Sequence, residues 1–234
     1  MSRGWSALLG LVAGLAVLAG VVVVHKLTRD DLDRREHYVI KLTDLNVAAP
    51  PGMSREDFVA EVLYNRGLPA KYDRTDPALS SKLQTAFAAH PWVEKATVGD
   101  VTSPRPVELV FRTPTLAVGD RVLDRLGVLL PLPTKKDGLP TFRGEVKQSA
   151  APSGQPHGDA KIVAVAKIVG WMHQQAPEIK LQAVELTADG LVLIRADTAK
   201  AIWGFSKNDE PPPEQKLARL KAWKGETLDL RKSP

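Results

Sequence analysis

One stretch of the sequence constrains this chain more than any other. Residues 4–24, GWSALLGLVAGLAVLAGVVVV, carry no charge and contain only Gly, Trp, Ser, Ala, Leu and Val. As a helix rising about 1.5 Å per residue, such a segment spans roughly 30 Å, the hydrocarbon thickness of a bilayer. No second stretch like it occurs, so the sequence predicts one membrane contact with everything after residue 24 on one side. A cleaved signal peptide is the competing reading, but its apolar region usually runs only about 7–15 residues. The length favours a retained anchor. So does the run Val21-Val22-Val23-Val24, which continues past the small-residue site at Val17-Leu18-Ala19. Gly10 and Gly14 stand at a spacing that can pack transmembrane helices, although Gly and Ala are common in such helices anyway.

Charge does not orient the segment. Arg3 and the terminal amine lie before it; Lys26, Arg29, Arg34 and Arg35 lie after it. Counted by the positive-inside rule, this places the bulk of the chain inside. Asp30, Asp31, Asp33 and Glu36 neutralise that flank, and long domains cross membranes largely regardless of charge.

The 210 residues that follow the segment suffice for one large or two small cores. The absence of cysteine excludes disulfides, thiol catalysis and Cys-ligated zinc. The 32 basic and 27 acidic residues give +5, but the basic ones are dispersed except for Lys216, Arg219, Lys221 and Lys224. A nucleic-acid binder would show a basic stripe with aromatics interleaved. The run reads instead as a solvated helix face.

Periodicity divides the remainder in two. Residues 25–37 read as a charged linker or a short helical extension. Tyr38, Ile40, Leu42, Leu45 and Val47 suggest a strand. Ser54 then caps a helix that ends at Gly67, with Phe58, Val59, Val62 and Leu63 on its buried face. Asp76-Pro77 opens a second helix carrying Leu79, Leu83, Ala86 and Phe87, stopped at His90-Pro91. Strands over residues 92–98 and 107–111 complete a β-α-α-β-β order across residues 38–113. The second half, residues 114–234, opens with a hairpin across Gly119-Asp120. A polar loop over residues 147–158 and a helix over residues 160–175 follow. Strands over residues 181–187 and 191–196 surround Asp189-Gly190 as a hairpin signal, and a third strand covers residues 201–205. A basic helix with Leu217, Leu220 and Trp223 inward leads to a short terminal strand over residues 227–230. The predicted fold class is α+β, behind one transmembrane helix.

Catalytic patterns are not found. His25, His37, His90, His157 and His173 include no pair at metal-ligand spacing on one element. Pro91 breaks any helical relation between His90 and Glu94. No G-x-S-x-G, phosphate-binding glycine loop or H-E-x-x-H occurs. Paired carboxylates, such as Asp209/Glu210, stand in polar, linker-like sequence where solvated, ionised side chains are expected. The expectation is a protein without catalytic residues, metal or cofactor, with neither nucleic acid nor a small-molecule substrate as partner. Trp5 lies at a membrane boundary, so residues 5–24 are expected to contact lipid. Trp92, Trp171 and Trp203 read as core, and Trp223, beside the basic face, as core or interface anchor.

Several segments share an order with a known family. The helix ending at His90 runs into Pro91-Trp92-Val93-Glu94-Lys95-Ala96-Thr97-Val98. An alternating strand then reaches Arg112-Thr113-Pro114, followed by Val122-Leu123-Asp124-Arg125-Leu126-Gly127. Leu139-Pro140-Thr141-Phe142-Arg143-Gly144 comes next, and Lys216-Leu217 with Leu228-Asp229-Leu230-Arg231 closes the series. This series resembles the FtsQ/DivIB family of bacterial cell-division proteins, with Pro91, Trp92, Val93, Arg112, Pro114, Asp124 and Gly127 as its structural motif. Phe111 departs from that pattern, which has Glu before the Arg. The resemblance implies a cytoplasmic head, here residues 1–3 and shorter than in many members, an inner-membrane anchor, a POTRA domain over residues 38–113 and a β domain over residues 114–234, both outside. It further implies a non-catalytic scaffold at the division site, recruiting partners of the FtsB/FtsL type through the C-terminal edge. Trp223, Thr227, Leu228, Leu230 and Arg231 are the expected docking residues. An edge strand there accepts a partner's strand through unpaired backbone groups, or else is fully paired within the chain. The alternative function is an anchored POTRA module in envelope protein transport or assembly.

Overall fold

The computed structural model describes residues 20–25, 39–41, 44–73, 76–100, 107–146, 149–204 and 210–232. Among these residues no helix is long and apolar enough to cross a membrane. Residues 20–25 are helical, whereas residues 4–19 of the expected anchor, the head and residues 26–38 lie outside the described residues. The fold is α+β, with mixed sheets and two separate cores.

The first unit packs α1 (Arg55–Arg66) and α2 (Leu79–Ala88) against two small β pairs. Ser54 begins α1: its hydroxyl accepts the Asp57 N–H at 3.0 Å, and Glu56 and Asp57 complement the helix dipole. Gly67 ends it in the left-handed conformation, with Leu68 N–H donating back to the Leu63 carbonyl at 2.9 Å. Phe58, Val59 and Val62 face Leu79, Leu83 and Phe87 in the first core. Helix α2 starts two residues later than Asp76-Pro77 implies. The Asp76 carboxylate accepts the Ala78 N–H at 2.9 Å, so it closes the turn before the helix.

This unit also departs from the expected β-α-α-β-β order. Strand β1 (Val39–Lys41) pairs antiparallel with β2 (Lys71–Asp73), which lies between the two helices. Three residues with one buried side chain, Tyr72, give no readable period. Strands β3 (Val93–Val98) and β4 (Val107–Phe111) form the expected antiparallel pair.

The second unit is a seven-stranded mixed sheet in the order β11-β10-β9-β8-β7-β5-β6. Its strands are β5 (Pro114–Val118), β6 (Arg121–Asp124), β7 (Thr141–Arg143), β8 (Leu181–Thr187), β9 (Gly190–Arg195), β10 (Lys200–Gly204) and β11 (Thr227–Asp229). Helices α3 (Ala160–Gln175) and α4 (Pro213–Ala222) supply Ile162, Val165, Val169, Leu217 and Leu220 to one core. There they meet Leu116, Leu123, Val184, Leu193 and Trp203 from the sheet. A smaller cluster of Ala183, Val192 and Ile194 occupies the opposite face.

The β8–β9 hairpin turns one residue earlier than the Asp189-Gly190 signal implies. Thr187 pairs with Gly190, so Ala188 and Asp189 make the turn. Gly190 is the first residue of β9 because the backbone of Gly204 crosses it. A Cβ there would lie 2.6 Å from the Gly204 Cα.

Candidate functional site

Two regions gather the residues singled out by the sequence: the β11 edge of the large sheet and the joint between the two units. At the edge, β11 pairs in parallel with β10, Ala201 opposite Leu228 and Ile202 opposite Asp229. Lys200 N–H donates to Glu226 O at 2.8 Å, and Leu230 N–H donates to Ile202 O at 2.9 Å. In a ladder of period two these bonds turn the backbone groups of Leu228 and Leu230 toward β10. The N–H and C=O of Thr227 and Asp229 therefore point away from the sheet.

The opposite end of the sheet is closed. Residues 128–130 fold back along β6, with Asp124 N–H bonded to Val128 O at 3.0 Å and Leu130 N–H to Val122 O at 2.9 Å. Among the described residues, β11 is therefore the open end of this sheet and β6 the covered one.

The five expected docking residues have different places. Leu230 is fully buried in the main core and Leu228 packs against it half-buried, so both seat the strand from inside. Thr227 is exposed on the edge. Trp223 is half-buried at the end of α4; the Arg195 guanidinium lies 4.6 Å from its ring centre and donates to its carbonyl at 3.0 Å. Arg195 thus steadies the ring and the end of α4 together. Arg231 grips the Asp229 carboxylate with two donors, at 3.0 and 2.9 Å, and reaches the Asp189 carboxylate at 3.2 Å. Hydrogen bonding from Arg231 holds the Asp229 carboxyl down to about 2, against an ordinary 3.8. Arg231 therefore ties the end of β11 to the β8–β9 turn.

The basic run along α4 is not a uniformly solvated face. Lys216 is fully buried: its ammonium donates to Trp203 O at 2.7 Å and pairs with the Glu210 carboxylate. Glu210, expected to be solvated, has a side chain only 8% exposed. Arg219 reaches over the edge, donating through Nη2 to Asp229 O at 3.0 Å and through Nη1 to Lys232 O. Sequence reasoning missed this role. The signal available was the i, i+3 spacing of Lys216 and Arg219, which puts both on one side of α4.

The structural motif residues converge on the joint. Arg112, between β4 and β5, donates from its backbone to Trp92 O at 2.8 Å and from Nη1 to the Asp124 carboxylate at 2.7 Å. Asp124 is fully buried. Its other oxygen accepts the N–H groups of Leu126 and Val128, both at 2.8 Å. Trp92 packs with Val122 and Leu130 from the second unit and with Phe111 from the first. Val93 enters the first core, Pro114 opens β5 opposite Asp124, and Pro91 lies against Gly154. Gly127 turns with φ +79 directly beneath α3, where a Cβ would meet the Val163 Cα at 2.9 Å. A second ion pair, Arg125 with Glu94, crosses the same joint.

His90 stands beside it. Its Nδ1 accepts the Trp92 N–H at 3.3 Å, and its Nε2 lies 3.6 Å from the Glu61 carboxylate on α1. Burial lowers its pKa below 6.5, with Glu61 opposing. His90 thus faces Glu61 rather than Glu94. Among the described residues no group of three or more His, Cys, Asp or Glu side chains is placed to hold a metal ion. No family model matches the chain, and no curated protein matches it.

Proposed function

We propose that this protein is a membrane-tethered scaffold of the bacterial division complex, of the kind its sequence resembles, the FtsQ/DivIB family. In this reading residues 4–24 anchor it in the inner membrane with the head in the cytoplasm. The first unit is the POTRA domain and the second the β domain, both outside, at the division site. Its activity is binding rather than catalysis. It captures an extended segment of an FtsB/FtsL-type partner as a further strand on β11. The observation that carries this reading is the asymmetry of the large sheet: among the described residues no backbone pairs along the outer side of β11, whereas residues 128–130 cover β6. An open edge is a template for another chain's strand, and proteins normally blunt edges they do not use.

The test must separate docking from the seating of β11. Leu230→Pro does not, because the Leu230 N–H bonds to Ile202 and its side chain is buried. Thr227→Pro removes a donor that points away from β10. Losing one backbone hydrogen bond of about 1 kcal/mol, together with the clash of the ring, predicts at least a fivefold weaker capture of FtsB/FtsL-type proteins in pull-downs. The thermal transition should be unchanged. Unchanged capture would refute docking at β11. A fluorescent fusion spread uniformly over the envelope, instead of concentrated at the septum, would favour the envelope-transport reading.

A further inference from the structure

We infer that Arg219 is a gate on the β11 edge: its guanidinium closes the outward carbonyl of Asp229, and a docking strand must displace it. The inference rests on the proposed use of β11 and adds how access to that edge is controlled. Strand addition beside β11 has two residues with which to form its ladder, Thr227 and Asp229, because Leu228 and Leu230 turn their backbone groups toward β10. The Asp229 carbonyl is one of the acceptors that an incoming strand needs. It already accepts from Arg219 Nη2 at 3.0 Å, while Nη1 of the same group bonds Lys232 O just beyond the strand. One planar fork thus spans the C-terminal half of the edge.

The gate can open at modest cost. Arg219 is half-exposed, and its two partners are carbonyls; among the described residues it makes no ion pair that would fix it. Arg231 differs: it is committed to the Asp229 and Asp189 carboxylates, and moving it would unseat β11 itself. The two arginines therefore have separable duties. Arg231 holds the strand, and Arg219 covers its free side. A backbone N–H from the docking strand replaces the Arg219 Nη2 donor at Asp229 O. The released guanidinium returns to water or to an acceptor on the partner. Until then the guard also prevents two copies of this chain from pairing edge to edge.

The sign of the effect makes the idea testable. If Arg219 merely supports β11 or contacts the partner directly, its removal lowers capture. If it is a gate, its removal raises capture. The experiment places a photoreactive residue at Thr227 in the full-length chain in cells, alone and combined with Arg219→Ala or Arg219→Lys. The adduct with an FtsB/FtsL-type protein is identified by its peptides. Removing one charge-assisted contact at a half-exposed site predicts a rise of about threefold to tenfold for Arg219→Ala. Arg219→Lys, a point donor that cannot span both carbonyls, should fall between. Equal melting temperatures exclude a change in folding. Adduct formation in the parent that is unchanged or reduced by Arg219→Ala overturns the gate while leaving docking at β11 standing. No adduct in any of the three overturns docking and the gate together. A gain confined to adducts between copies of this chain makes Arg219 a permanent guard and also overturns the proposal.

Discussion

Replacing Asp124 by alanine should uncouple the two units, and the structure gives the size of the effect. Asp124 is fully buried, and the Arg112 side chain that it pairs with is only 14% exposed. Breaking a buried ion pair from one side costs about 3–5 kcal/mol, because the remaining charge stays desolvated. Alanine also strips the acceptor from the Leu126 and Val128 N–H groups. Each orphaned donor costs about 1–3 kcal/mol, although relaxation lets water reach the turn and the terms do not add in full. The expected loss is about 4–6 kcal/mol, a large share of the roughly 5–15 kcal/mol that holds an ordinary domain. Asp124→Asn keeps one oxygen for the two N–H groups but turns an amide N–H toward Arg112 and leaves that buried charge unpaired, so its cost should be about 3–5 kcal/mol. Adding Arg112→Leu to Asp124→Asn should recover part of that, since no unpaired charge remains. Urea denaturation of the full chain in detergent micelles, followed by tryptophan fluorescence, provides the assay. With a slope of about 2 kcal/mol/M, the Asp124→Ala midpoint should fall by about 2–3 M. The curve should also separate into two steps as the Trp92 cluster opens. A midpoint within about 0.5 M of the parent would refute the assignment of the joint to this pair.

Two further outcomes follow from the same region. Gly127→Ala puts a side chain at φ +79 and a Cβ 2.9 Å from the α3 backbone. Left-handed strain of about 1 kcal/mol and overpacking of about 1–3 kcal/mol together predict a loss of about 2–4 kcal/mol, read from the same denaturation curves. His90 sets a pH dependence. Its folded pKa is lowered by burial, so the unfolded chain binds the proton first. Its contribution is complete above pH 6.5 and declines as pH falls from 6.5 toward the folded value. A series of melting temperatures between pH 7.5 and pH 5 should fall in the parent and fall less steeply in His90→Gln, where His157, also lowered by burial, still contributes; parallel curves would refute this role.

Local grammar is readable where it is strong. Ser54 and Gly67 bound α1, and Pro91 stops α2, because caps and proline act on the backbone of their immediate neighbours. The alternation through Val107, Leu109 and Phe111 marks β4 for the same reason. Strand β2 escaped because its pairing with β1 is made across α1, not by any pattern within Lys71, Tyr72 and Asp73. The candidate site was legible only as a location. The family resemblance singled out Thr227, Leu228, Leu230 and Arg231, but not which of them seat the strand and which face outward. That division depends on a register shared with β10.

The sequence alone determined the α+β class, most helix limits and the uncharged segment at residues 4–24, since each depends on composition or on periods of a few residues. The tertiary structure decided the rest. Lys216 and Arg219, three residues apart in one basic run, have opposite fates: one is buried against Glu210, the other laid over the β11 edge. Arg112 and Asp124 became partners only when β5 and β6 folded back on each other. A charged residue's sequence neighbours fix where it starts; the burial and unpaired carbonyls around its far end fix what it does, and those come from strands distant in the chain.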